Sequence, residues 1–167
     1  SNAAGNNVSF TGPVVIDGTV DIDTDAGAAD GTIGFSSTIV GASSGSNNLT
    51  LDSGASAITL SGTIGVATPL TSLNINQDGG TVALTIPQIG TAGGSSGVTG
   101  ATNIGTTTTT TVDMSAASYK FGGTTAIKAG TGSTGTTFSA ANPDVDMDDA
   151  NITITTVSYT HLTLPTI

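Results

Sequence analysis

A short apolar pattern recurs in this chain at a nearly constant spacing of about 25 residues. The segments VSFTGPVV, IGFSSTIV, ITLSGTIG and VALTIPQI begin at Val8, Ile33, Ile58 and Val82, with separations of 25, 25 and 24 residues. A further segment, YKFGGTTA, begins at Tyr119, 37 residues after Val82. A period of this length is typical of chains that stack one structural unit on the next.

The recurring segments place similar residues in the same columns. Their third column comprises Phe10, Phe35, Leu60, Leu84 and Phe121, and their fifth comprises Gly12, Ser37, Gly62 and Gly123, with Ile86 as the exception. Apolar residues two apart, followed by a small residue, predict a short strand that ends in a bend. We predict that the third column forms an inward ladder, so that a charge at Phe35 or Leu60 would unfold several coils.

A second strand follows most of these segments. It reads VDID from Val20, LTLD from Leu49, LNIN from Leu73 and ITIT from Ile152, and the turn signals DAG, DSG and DGG follow at Asp25, Asp52 and Asp78. A unit of two or three short strands cannot bury its own apolar face, whereas stacked copies cover one another. We therefore predict an all-β fold, a right-handed parallel β-helix with coils of about 25 residues. A β-sandwich is the alternative, because it also uses short strands and turns.

Composition excludes several classes of function. The chain has 12 acidic residues, all Asp, against two Lys, and its formal net charge is −10. Such a charge argues against nucleic acid as a partner, because phosphates require Lys and Arg. No apolar run approaches the roughly 18 residues needed to span a bilayer, so we expect no membrane insertion by this segment.

The two ends of the sequence are expected not to belong to the natural protein. Residues 1–3, SNA, resemble the remnant of a cleaved expression tag. Residues 157–167, VSYTHLTLPTI, resemble a translated sequencing adapter, and we expect them to be non-native, although HLTL alternates as a real strand would. Residues 4–156 then form the β-helical repeat domain, a fragment of a longer protein.

The repeats resemble those of a known group of proteins. The phrases ITLSGTIG…PLTSLNI and YKFGGTTAIKAGTG are similar to the β-strand repeats of bacterial surface proteins of the filamentous-haemagglutinin and autotransporter-passenger type. The resemblance implies an extracellular, cell-surface β-helical stalk, often adhesive, whose partners are host or environmental glycans or cell surfaces. The segment from Gly90 to Val112 departs from the pattern and is expected to be irregular.

Two acidic runs raise the question of calcium. The candidate ligands are Asp21, Asp23 and Asp25 in DIDTDAGAADG, and Asp144, Asp146 and Asp148 in NPDVDMDD. Counted from Asp21, an EF-hand loop requires a bidentate Glu at position twelve, where this chain has Thr32. The repeat alignment instead places Asp21 and Asp23 on the outer side of a strand, so we interpret both runs as solvated strand faces and expect no resident cofactor.

Enzyme chemistry has few residues available, and we expect no enzymatic activity. Without a native His, Cys, Arg or Glu, most nucleophile–base pairs are unavailable, and Lys120 and Lys128 are expected on a solvated face. Two alternatives remain: a carbohydrate-active β-helix enzyme that uses Asp144, Asp146 and Asp148, and a phage tail-fibre segment. The run Thr106–Val112 is interpreted as a strand or a low-complexity loop.

The end coils of a fragment lack caps, and we therefore predict end-to-end or edge-mediated self-association.

Overall fold

The structure is a computed structural model that describes residues 5–25, 29–43, 45–79, 82–91, 93–130, 135–140, 144–147 and 152–156. These residues form parallel strands, with no helix among them. The strands stack as coils of about 25 residues into a β-solenoid. The predicted all-β parallel β-helix is thereby confirmed, and the β-sandwich is wrong, because every ladder between these strands is parallel.

Each of six successive coils contributes one segment to each of three faces, with strands numbered in chain order. The first face contains β1 Val8–Phe10, β4 Ile33–Phe35, β7 Ile58–Leu60, β9 Leu84–Ile86, β11 Thr111–Met114 and β14 Gly135–Phe138. The second contains β2 Val14–Ile16, β5 Ile39–Gly41, β12 Ser118–Phe121 and β15 Asp144–Met147, with single-residue bridges at Ile64 and Ile89. The third contains β3 Thr19–Asp23, β6 Asn48–Asp52, β8 Ser72–Asn76, β10 Thr102–Ile104, β13 Thr125–Ala129 and β16 Ile152–Thr156.

The first three coils have the predicted register. Phe10 lies opposite Phe35, and Phe35 lies opposite Leu60, so the start of the inward ladder is confirmed. The rings of Phe10 and Phe35 stack with their centroids 4.7 Å apart. On the third face Val20, Leu49 and Leu73 form the expected column. Burial of these columns removes apolar surface from water, which is the main force that holds the coils together.

The small residues of the fifth column allow the coils to approach closely. A Cβ placed on Gly62 would lie 2.2 Å from the carbonyl carbon of Ser37 in the coil below. Real Cβ atoms do not come so near another atom, so the bend between the first and second faces requires glycine at this position.

The first face is interrupted between the third and fourth coils. β7 and β9 are in contact, but they belong to separate hydrogen-bonded sheets. The second-face bridge from Ile64 to Ile89 keeps a spacing of 25 residues, whereas the predicted alignment of Ile58 with Val82 requires 24. The prediction for Val82 is wrong, because it lies outside β9 and is 54% exposed. Leu84 and Ile86 are nevertheless fully buried, so the inward column continues across this gap although the hydrogen-bonded ladder does not.

The last predicted repeat is also misplaced. Tyr119 and Phe121 lie on β12 of the second face, opposite Ile89 and Val98, not on the first face. The first-face strand of the fifth coil is β11, where Val112 lies opposite Leu84. Phe121 is buried but does not continue the ladder from Leu84. The alignment was wrong because YKFGGTTA has the same alternation as a first-face segment, and alternation alone does not say which face a strand occupies.

The segment from Gly90 to Val112 is more regular than predicted. It contains β10 and the start of β11, and Val98 bridges Leu70 in the coil below and Phe121 in the coil above. Its irregular part is the loop that follows Ile89, whose described residues are 90–91 and 93–97. Gly97, with φ +86°, lies so close to Lys120 that an added Cβ would be 2.3 Å from the Lys120 carbonyl oxygen.

The expected tag remnant at residues 1–3 and non-native tail at residues 157–167 lie outside the described residues. Across the described part of the chain, no helix is long and apolar enough to cross a membrane.

Candidate functional site

The first acidic run begins on the outer side of β3. Val20 and Ile22 are half-buried against the core, whereas Asp21 and Asp23 are exposed. Asp21 lies opposite Thr50, and Asp23 lies opposite Asp52, as the repeat alignment predicts. The alternation of carboxylates thus follows from the period of two in a strand.

The run then enters a turn where several carboxylates accept backbone hydrogen bonds. Asp23 Oδ1 accepts from the Asp25 N–H at 2.8 Å, and Asp52 Oδ1 accepts from the Gly54 N–H at 3.2 Å. Asp30 Oδ2 accepts from the Ala55 N–H of the next coil at 2.7 Å. Asp and Asn commonly stabilise turns in this way. Sequence reasoning did not single out Asp30, since no strand pattern marks it.

Like charges crowd this turn. The neighbouring Asp30 carboxylate raises the pKa of Asp25 above its usual value, with smaller contributions from partial desolvation and from Asp52 and Asp23. Repulsion of this kind is what a bound cation relieves. However, no three potential ligating side chains converge to hold a metal ion in the described residues. The geometry observed for this acidic turn cluster (Asp23, Asp25, Asp30 and Asp52) is that of turn capping.

The second acidic run lies on the second face. Asp144 is opposite Ser118 in the ladder between β12 and β15, and its side chain lies outside the described residues, as does Asp148 altogether. Asp146 is opposite Lys120, and its Oδ2 is 2.9 Å from Lys120 Nζ. The structure therefore does not bring the six candidate calcium ligands together.

The environment of Lys120 differs from the predicted solvated face. Its side chain is only 7% exposed, against 27% for Asp146. Asp146 Oδ2 also accepts a hydrogen bond from the Gly93 N–H at 3.2 Å. The Lys120 ammonium and the Gly93 N–H both lower the pKa of Asp146. This bridge joins three coils, because Gly93, Lys120 and Asp146 belong to the fourth, fifth and sixth.

A hollow of about 260 Å³ lies beside the bridge. Its polar lining comes from Gly94, Ser95, Ser96, Thr99, Lys120 and Gly122. Hydroxyl groups, backbone amides and an ammonium can together donate and accept hydrogen bonds toward a polar ligand. One signal in the sequence pointed here: Lys120 is one of only two cations in a chain of net charge −10.

The threonine run forms a turn before it enters a strand. Thr106 and Thr108 donate hydrogen bonds to Asp78 Oδ1, and the buried Thr109 hydroxyl donates to the Gln77 carbonyl. β11 then begins at Thr111. The run is therefore partly a turn and partly a strand, rather than one or the other.

No protein-family model matches the sequence, and no curated protein or solved structure was found to be similar to it.

Proposed function

We propose that this chain is a structural and adhesive segment of a large bacterial surface protein, exposed outside the cell. In this role a stiff β-solenoid holds a polar surface away from its attachment point. The observation that supports the proposal is the third face, where six strands form one continuous parallel sheet. At a spacing of about 4.8 Å, six strands extend about 24 Å along the axis.

Hydrogen bonds between side chains reinforce this face along the axis. Asn48 Nδ2 donates to Thr19 Oγ1 at 3.1 Å, and Ser72 Oγ donates to Asn48 Oδ1 at 2.8 Å. These contacts join three successive coils through outward residues. A connected network of this kind adds rigidity to the backbone ladder.

The outer surface of the third face is suited to polar partners. One outward column comprises Asp21, Thr50, Asn74, Asn103, Ala126 and Thr153. Its amide and hydroxyl groups donate and accept hydrogen bonds, which is the chemistry that glycans and cell-surface proteins require. The net charge of −10 supports uncharged rather than anionic partners.

Adhesion under flow tests the proposal. Beads coated with the protein are passed over glycan-coated surfaces and cultured cells, and the retained fraction is measured. We expect retention by the folded protein and loss of retention with the Phe35→Asp variant, which places a charge in the core ladder. Equal detachment of both proteins from every surface would contradict the adhesive role.

A further inference from the structure

The fourth coil carries a loop on the second face between two bridged residues. The chain leaves this face at Ile89 and returns at Val98, and these residues bridge to Tyr119 and Phe121 of the fifth coil. Lys120 lies between the two bridged positions, so its outward side faces the loop residues 93–97. The hollow of about 260 Å³ is the space between this loop and the strand that carries Lys120.

The loop is held in place by the protein itself. The Thr91 N–H donates to Ser96 Oγ at 2.8 Å, and Ser96 Oγ donates to the Thr91 carbonyl at 3.2 Å. Asp146 fixes both the Gly93 N–H and the Lys120 ammonium. A site formed before binding avoids the entropy cost of ordering a loop around its ligand.

The size of the hollow restricts its ligand. Pockets that enclose drug-sized molecules have volumes of about 300–1,000 Å³. A hollow of about 260 Å³ is slightly smaller. It therefore suits a single small ring, such as one sugar unit at the end of a longer glycan.

Charge restricts the ligand further. Asp146 places a carboxylate directly beside Lys120, in a chain of net charge −10. An anionic ligand would have to approach this carboxylate and the negative surface, which is electrostatically unfavourable. An uncharged sugar meets no such repulsion, and each of its hydroxyls both donates and accepts hydrogen bonds.

We propose that the hollow over Lys120 binds one neutral sugar unit, with hydrogen bonds from the exposed Ser95 and from the loop backbone, and with Thr99 Oγ1, which donates to the Leu70 carbonyl, as an acceptor. This inference rests on the proposed adhesive function and assigns it a specific contact site. The Lys120–Asp146 ion pair positions the loop, because Asp146 also accepts the hydrogen bond from the Gly93 N–H.

Two-dimensional amide NMR spectra of the protein test the site directly. The probes are methyl α-D-mannopyranoside, methyl α-D-glucopyranoside and methyl β-D-galactopyranoside, with methyl β-D-glucuronide as the anionic comparison. We expect at least one neutral glycoside to shift amides within residues 93–99 and 120–122, with a roughly millimolar Kd for so small a ligand. No shift with any neutral glycoside, or shifts with the glucuronide alone, would overturn the proposal.

Matched variants locate the binding. Ser95→Phe fills the hollow and should weaken binding at least tenfold, whereas Ser36→Phe, at an exposed position on another coil, should leave the Kd unchanged. Lys120→Met should also weaken binding, and if that variant does not fold, Ser95→Phe alone decides. Equal binding by Ser95→Phe and the unmodified protein would place the sugar elsewhere and overturn the site. If beads are retained but no glycoside shifts amides at the hollow, this binding site is refuted and the adhesive function is not. If a glycoside shifts these amides but beads are not retained, only the adhesive function is refuted.

Discussion

The first three coils and the last three are built from the same strands but are held together differently. In the first three, partner residues on the first and second faces are 25 apart and those on the third face are 29 and 24 apart, and apolar columns match directly, as at Phe10 and Phe35. In the last three, a loop that includes residues 93–97 lengthens the fourth coil between Ile89 and Val98, and polar contacts also join the coils. The hydroxyl of Tyr119 and the ion pair of Lys120 with Asp146 are the clearest examples. Side-chain hydrogen bonds join coils in both halves, as at Asn48 and Asp30. Among the described residues, however, a buried tyrosine hydroxyl and an ion pair join coils in the last three.

The two regions also use aspartate in opposite ways. Asp25 lies among other carboxylates, which raise its pKa, whereas Asp146 lies beside an ammonium and a backbone N–H, which lower its pKa. Both residues come from acidic runs that look alike in the sequence. The difference shows that the residues around a carboxylate, and not the acidic run in which it occurs, determine whether its pKa is raised or lowered.

The largest expected effect tests the packing of the first three coils. Phe35→Ala removes a fully buried ring and should lower the free energy of unfolding by about 3–5 kcal/mol. Phe10→Ala, in the same column but half-buried on the first coil, is the matched comparison and should cost less. Chemical denaturation followed by circular dichroism measures both. Equal losses would mean that the end coil is packed as tightly as the interior.

A smaller effect tests the polar anchors of the last three coils. The Tyr119 hydroxyl donates to the Ile86 carbonyl at 2.8 Å and accepts from the Ala116 N–H at 2.7 Å. Burial raises the pKa of Tyr119 to about 12, so the hydroxyl remains protonated at neutral pH. Tyr119→Phe leaves these backbone groups without their partner and should cost about 1–3 kcal/mol. An unchanged denaturation midpoint would show that the ring alone anchors this coil.

The ion pair should show acid-dependent stability. Because the pKa of Asp146 is lowered in the fold, its stabilisation is present above the ordinary value of 3.8 and is lost as the pH falls through the folded value. Asp146→Asn should therefore lower Tm at neutral pH, and the difference from the unmodified protein should shrink in acid. Thermal melts across this pH range provide the measurement. A difference that does not vary with pH would mean that the charge of Asp146 is unimportant.

The acidic turn cluster should show the reverse dependence at Asp25, with the smallest effect because that residue is exposed. The pKa of Asp25 is raised, so its charge destabilises the fold above the folded value, and this penalty is relieved as the pH falls toward 3.8. Asp25→Asn should raise Tm slightly at neutral pH, with a gain that disappears in acid. Asp21→Asn, on the outer side of β3, is the control. A decrease in Tm for Asp25→Asn would refute the repulsion.

Much of the regular half of the fold was predictable from sequence. The columns at Val8, Ile33 and Ile58 aligned correctly because an inward residue must recur at the same point of every coil. Beyond Leu60 the strands at Leu73 and Ile152 still fall on the third face as predicted. The alignments of Val82 and Tyr119 were wrong, since a changed spacing on the first face and a longer loop on the second have no distinct signature. The short strand β10, read as part of an irregular segment, has only three residues and a single large apolar side chain, Ile104.

The candidate sites were less predictable. The placement of Asp21 and Asp23 on an outer strand face was correct, because alternation is a local property of the chain. The pairing of Lys120 with Asp146 spans 26 residues and depends on which coil follows which. Asp30 belongs to the acidic turn cluster only because its carboxylate reaches Ala55 in the next coil.

The sequence by itself determined that this chain forms stacked β-coils, because a repeat of about 25 residues with alternating apolar residues can bury its core in few other ways. The tertiary structure decided which strand occupies which face after Leu60, and whether each aspartate meets a cation or another carboxylate. The physical reason is that strand alternation arises within a few consecutive residues, whereas register and electrostatic partnership arise only when residues from different coils are brought together.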